Sequence, residues 1–159
     1  MEGVFIYIPL FHLCILPAVI FQIPIISYEM VTDTMKILIV EDNLPNMTYA
    51  QFLLKKLGYE FISAFSGEEA LEMLKTQNVD YMLIDINLGE GISGLEFLKA
   101  VRKKKCLNNV PAIAVTAYAM NGDKDKFINE GFDDYLPKPY TFNDFKKVLQ
   151  KNMVSQLEW

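Results

Sequence analysis

The chain has 159 residues, 52% of them hydrophobic and 22% charged, with a net charge of −5 and a pI near 4.9. That length supports one core large enough to fold without disulfide or metal staples, and the acidic balance argues against a nucleic-acid-binding surface, which needs clustered Lys and Arg to displace phosphate counterions. Cys14 and Cys106 stand apart with no Cys or His at metal-ligand spacing, and His12 lies in an apolar run with no carboxylate or nucleophile beside it, so zinc sites and His-based catalysis have no footing. The two cysteines read as apolar fillers of a reducing, cytoplasmic compartment.

Residues 3–28 carry no formal charge, a stretch long enough to span a bilayer. Yet Pro9, Pro17 and Pro24 would each remove a helix hydrogen bond. The first Lys or Arg of the chain is Lys36, so neither a signal peptide's positive start nor a positive-inside anchor is supported. Three readings stay open for residues 1–34: a non-native upstream extension with translation starting at Met30 or Met35, a membrane anchor, or a strand-like segment packing on the domain. Composition changes near residue 35, and residues 35–154 are expected to form the folded domain, with a tail at 155–159.

From Met35 onward, short apolar runs alternate with helical patterns. KILIV (36–40) reads as the first strand. A helix follows Pro45, with Ala50, Leu53, Leu54 and Leu57 on one face and Gly58 as its stop. FISAF (61–65) is the second strand, and Ser66-Gly67-Glu68-Glu69 forms a capping box for the second helix. YMLID (81–85) is the third strand, followed by a helix over 93–105 whose end, Arg102-Lys103-Lys104-Lys105, reads as a solvated terminus suited to the helix dipole. AIAVT (112–116) leads to a helix over 120–129 stopped by Gly131. DYLPK (134–138) is the fifth strand, and the last helix starts at Thr141 with Phe142, Phe145, Val148 and Leu149 on one face.

Four of the strands are nearly continuous apolar runs, as expected when both sheet faces are covered. Repeated strand-helix units with right-handed crossovers predict an α/β fold with a doubly wound parallel sheet. Ligands bind such sheets beyond the carboxyl ends of the strands, where the strand order reverses. Strand one ends in Glu41-Asp42, strand three in Asp85, strand four in Thr116 and strand five in Lys138, whereas strand two ends in Phe65-Ser66 and delivers nothing comparable. This is what the order 2-1-3-4-5 predicts, with strand two at the periphery. Converging carboxylates repel unless a hard cation lies among them; Mg2+ suits such a site, taking oxygen ligands and working beside phosphate. A carboxylate is also a nucleophile toward phosphorus when the developing charge is neutralised, and Lys138 and Thr116 offer a cation and a hydroxyl for that purpose.

The segments ILIVEDN (37–43), LIDINL (83–88), GLE (94–96), VTAYAM (115–120) and DDYLPKP (133–139) resemble the response-regulator receiver domain of two-component signalling. The likeness covers roughly residues 35–154, and residues 114–139 are similar to single-domain regulators of the cell-division type and to receivers of hybrid histidine kinases. It implies a five-stranded (βα)5 flavodoxin-like fold. It implies Asp85 as phosphoacceptor, Asp42 binding Mg2+ directly, Glu41 acting there largely through water, and the backbone carbonyl of Asn87 as a further metal ligand. Lys138 would contact the phosphoryl oxygens and precede a cis bond to Pro139. Thr116 and Tyr135 would be the switch pair, while Asn87 and Tyr118 would tune the phosphoryl lifetime. The implied partners are a histidine kinase or histidine phosphotransfer protein upstream, and a downstream protein on the face of helix four, strand five and helix five. Position 89 is Gly where the family usually has Pro, and Gly94 comes nine residues after Asp85, one later than usual.

The chain ends soon after the fifth helix forms, leaving no room for an output domain, and the expected role is a signalling phosphoacceptor, not an enzyme. Two alternatives come from other classes. A Mg2+-dependent aspartyl-phosphate phosphatase of the haloacid dehalogenase type would place its nucleophile on the first strand with a second Asp two residues later; here Asn87 stands two after Asp85. A phosphorylation-independent interaction module would typically lose the acceptor, the acidic pair or the Lys, all present here.

Overall fold

The computed structural model describes residues 35–117 and 123–154. The apolar segment 1–34, Tyr118, the expected start of the fourth helix at Met120 and the tail 155–159 lie outside the described residues. Five parallel strands, β1 (Lys36–Val40), β2 (Glu60–Ala64), β3 (Tyr81–Asp85), β4 (Ala112–Thr116) and β5 (Asp134–Pro137), form one sheet in the order β2-β1-β3-β4-β5. The helices are α1 (Leu44–Leu57), α2 (Gly67–Met73), α3 (Gly94–Arg102), α4 (Asp123–Asn129) and α5 (Phe142–Val154).

Alternation along the strands divides the core in two. Leu38, Val40, Met82, Ile84, Ala112 and Ala114 pack with Ala70, Phe97, Leu98, Val101 and Phe127 of α2, α3 and α4. Ile37, Ile39, Leu83, Ile113, Val115 and Leu136 pack with Met47, Leu53, Leu54, Phe145 and Leu149 of α1 and α5. Burial on both faces explains the continuous apolar runs, and each fully buried large side chain contributes roughly 1.5–3 kcal/mol.

Local signals set most helix starts. Asn43 Oδ1 accepts the Asn46 N–H at 3.1 Å, with Pro45 in the first turn of α1. Ser66 accepts the Glu69 N–H at 3.1 Å, but the Glu69 carboxylate reaches past Ser66 to the Phe65 N–H at 2.6 Å, so the expected reciprocal box is shifted by one residue. The full box forms instead at Ser93 and Glu96, opening α3. Thr141 and Asp144 do the same for α5, the Thr141 N–H donating to Asp144 at 3.0 Å.

The expected helix over 93–105 stops at Arg102. Its guanidinium donates to the carbonyls of Asn108 (2.9 Å), Val110 (2.6 Å) and Gly131 (3.2 Å) and to the Asp133 carboxylate (2.9 Å). Arg102 is therefore a clamp on the returning chain, not the start of a solvated basic run, and Cys106 in that turn is exposed instead of filling the core. Among the described residues no helix is long and apolar enough to cross a membrane.

At the start of β5, buried Asp134 receives Lys151 Nζ at 2.6 Å, Asn152 Nδ2 at 3.2 Å and the Tyr135 N–H at 2.9 Å, with Lys124 Nζ at 3.6 Å. Burial alone would raise this carboxyl, but the Lys151 ammonium, the Tyr135 N–H and the Asn152 amide outweigh it and hold it below its ordinary 3.8. A folded-state pKa below the unfolded one stabilises the fold fully above the unfolded value and ceases to do so as pH falls through the depressed one. Asp134→Ala is expected to lose about 2 kcal/mol at pH 7, measured by urea unfolding. The gap from the wild type should close in acid below the ordinary carboxylate range.

Candidate functional site

The sheet register brings the polar strand ends to one edge. Val40 pairs with Ile84, Asp85 with Val115 and Thr116 with Pro137, so Glu41, Asp85, Thr116 and Lys138 follow one another across β1, β3, β4 and β5. The Glu41 N–H donates to Ala64 O at 3.1 Å, holding Glu41 in line with the sheet and only 4% exposed. Asp42 lies exposed on the bend before Asn43 caps α1.

Asp85 ends β3 and is 7% exposed. Its Oδ1 accepts the Asn87 N–H at 3.0 Å, and its Oδ2 accepts Lys138 Nζ at 2.5 Å. The same ammonium donates to Glu41 Oε2 at 2.6 Å, while Glu41 Oε1 accepts Asn46 Nδ2 at 3.0 Å. The Lys138 N–H donates to Thr116 O at 2.7 Å, and the Lys138–Pro139 peptide bond is cis. Thr116 is fully buried. Tyr135 packs against the α2-α3-α4 side of the core, its ring stacked on Phe127 of α4 with centroids 5.9 Å apart.

The structure thus gathers Glu41, Asp42, Asp85 and Lys138 into one cluster, with the Asn87 backbone on Asp85 and Thr116 at the neighbouring strand end. Tyr135 lies on the α4 side, its ring against Phe127. Burial raises the Glu41 carboxyl above its ordinary value, helped by the charge of Asp85 and opposed by Lys138 and Asn46. Burial also works against the charge of Lys138, but the hydrogen bonds to Asp85 and Glu41 outweigh it and raise the ammonium pKa. Oxygens of Glu41, Asp42 and Asp85 lie within 4.8 Å of one another. An all-oxygen set with three carboxylates against one ammonium, open to water at Asp42, fits a hard divalent cation and suits Mg2+ better than a thiolate-seeking metal.

Sequence patterns do not reveal all the supports. Asn46 reaches Glu41 across the first turn of α1 and carries no motif. Gly94 is visible as part of GLE, but its reason is steric: a Cβ there would sit 2.0 Å from the Asp85 carbonyl oxygen. Tyr140, stacked on both Tyr49 and Phe145 with centroids 5.6 Å apart, lines one small cavity with Glu41 and Asp85.

Residues 37–150 match the response regulator receiver domain family. The polar-differentiation response regulator DivK of Brucella ovis is 38% identical over 117 residues, covering 74% of this chain and 94% of that protein. A chemotaxis response regulator of Vibrio cholerae superposes with a TM-score of 0.69 at 28% identity, over 74% of this chain and 98% of that one. The receiver domain of a sensor histidine kinase from Pseudomonas aeruginosa PAO1, solved with a magnesium ion coordinated in its active-site cleft, gives a TM-score of 0.68 at 32% identity, over 74% of this chain and 96% of that one.

Gly94→Ala would press a methyl group into the backbone of Asp85, an overpacking expected to lose about 3 kcal/mol. Chemical denaturation measures that loss, and NMR should show the Asp85, Ile86 and Asn87 amides displaced in whatever folded protein remains.

Proposed function

Since this chain belongs to the response regulator receiver family, with the α/β architecture that family has, we propose that it is a phosphorelay regulator that accepts a phosphoryl group on Asp85. The observation carrying this reading is a buried Asp85 at the end of β3, its carboxylate bonded to the Lys138 ammonium that it shares with Glu41 and grouped with the carboxylates of Glu41 and Asp42. Asp85 is the nucleophile: a carboxylate oxygen attacks the phosphorus of a phosphohistidine on a kinase or phosphotransfer protein. The new P–O bond replaces the P–N bond, and the departing imidazole takes up a proton. The Asn87 N–H on Oδ1 and Lys138 on Oδ2 fix the carboxylate for that approach.

Asp42, Asp85 and the Asn87 carbonyl are the proposed Mg2+ ligands, with Glu41 acting through water. Bound Mg2+ would neutralise charge on the phosphoryl oxygens during transfer. Lys138 would exchange its contact with Glu41 for the incoming phosphoryl oxygens, and the Thr116 hydroxyl would donate to them. Tyr135 would respond by changing its packing on Phe127, altering the face of α4, β5 and α5 for a downstream protein. A preference of a few kcal/mol for one arrangement suffices. Residues 35–154 form the proposed receiver unit, acting in the cytoplasm and without nucleic-acid contact.

With acetyl phosphate and Mg2+, Asp85→Asn should fold normally yet give at least ~100-fold less phosphoprotein, since the amide lacks the attacking oxygen. Asp42→Asn should still be phosphorylated but need roughly tenfold more Mg2+. Lys138→Ala should take up phosphoryl without the NMR shifts at Tyr135 and α4. An Asp85→Asn protein phosphorylated at wild-type yield would place the acceptor elsewhere.

A chain beginning at Met35 should fold and retain Mg2+-dependent phosphorylation, because every proposed site residue follows that point. The same assay, with circular dichroism for folding, checks it.

A further inference from the structure

The loop between β3 and α3 carries Asn87 and ends at Gly94. Its entry is fixed by Leu88, buried in the core, and its exit by the Gly94 N–H donating to Ile86 O at 3.1 Å. Between them, Gly89-Glu90-Gly91 is exposed and has two glycines at positive φ, +56° and +94°. Such a stretch has high conformational freedom and needs an external hold to keep one shape.

That hold comes from α2. Glu68 Oε1 accepts the Ile92 N–H at 2.9 Å. Both Glu68 oxygens lie so close to Gly91 that a Cβ there would approach them to 2.6 and 2.8 Å. Beneath them, Gly67 is packed under the Ile92 side chain. At the loop's other end Gly89 lies beside Asp42, whose Oδ2 is 2.8 Å from where a Gly89 Cβ would be. The loop is thus a short bridge between a carboxylate on α2 and a carboxylate of the acidic cluster.

We infer that Glu68 is a positioning residue for the acidic cluster: it pins the Gly89–Ile92 stretch of the β3–α3 loop so that Gly89 stays against Asp42 and Asn87 stays on Asp85. The inference rests on the proposed Mg2+ site. Glu68 is exposed, so its loss should hardly change global stability. Its effect belongs in metal affinity, where supporting contacts are worth roughly 10- to 100-fold.

The test is Mg2+ binding by isothermal titration calorimetry, with amide hydrogen exchange at Gly91 and Ile92. Glu68→Ala should weaken Mg2+ roughly tenfold and speed exchange at both amides. Glu68→Gln keeps an oxygen acceptor for the Ile92 N–H but loses the charge, and should stay within about twofold of the wild type. Gly91→Ala, which pushes the loop off an intact Glu68, should reproduce the weakening. Equal losses in Glu68→Ala and Glu68→Gln would mean a through-space charge effect and overturn the inference, as would a Glu68→Ala protein that binds Mg2+ like the wild type. A wild-type protein that binds no Mg2+ would instead overturn the metal site itself, while the exchange rates still decide whether Glu68 holds the loop.

Discussion

Two buried carboxylates sharing one ammonium is the constraint on which the rest of this structure depends. Glu41 and Asp85 are 4% and 7% exposed, and taking two like charges out of water side by side is unfavourable without a partner. Lys138 supplies that partner to both. It can do so only if β5 ends level with β4 and one step beyond Asp85, which the in-register pairing of Thr116 with Pro137 and the Lys138 N–H bond to Thr116 O enforce. Removing one member of a buried ion pair typically costs 3–5 kcal/mol because the other is left uncompensated. The cluster is held in place by the pairing of β1, β3, β4 and β5.

The fold was legible because most strands are nearly continuous apolar runs, each closed by a polar residue or pair at its carboxyl end except the second. The order of strands followed from chemistry as well as pattern: Phe65 and Ser66 bring no charge to the edge, and β2 indeed lies outermost, next to β1 only. The clustering of Glu41, Asp42, Asp85 and Lys138 was legible for a related reason, since parallel strands in register present their carboxyl ends at one edge.

What the sequence hid is contact between residues far apart in the chain or one step off a local rule. The end of α3 depends on Arg102 finding carbonyls at Asn108, Val110 and Gly131, and no propensity at 103–105 encodes that. Glu69 bonding to Phe65 instead of Ser66 is a one-residue shift within a correctly recognised motif. Glu68 looks like any exposed acid of a first turn until the loop 24 residues later folds onto it. The steric need for Gly94 also appears only when Asp85 and α3 are in place.

The position of Tyr135 gives the proposed switch its energy scale. Its ring lies stacked on Phe127, with centroids 5.9 Å apart and planes 19° apart, on an α4 whose Lys124 also faces Asp134 at the root of β5. An aromatic pair contributes about 0.5–1.5 kcal/mol beyond its burial, and a half-exposed ion pair about 1 kcal/mol or less. Both are smaller than a hydrogen bond between charged groups in the cluster, about 1.5–3 kcal/mol each. In the proposed switch, a new set of charged contacts at Asp85, Thr116 and Lys138 would therefore carry enough free energy to repack Tyr135 against α4 without disturbing the sheet, which is anchored by fully buried residues such as Leu38, Ile84 and Ile113.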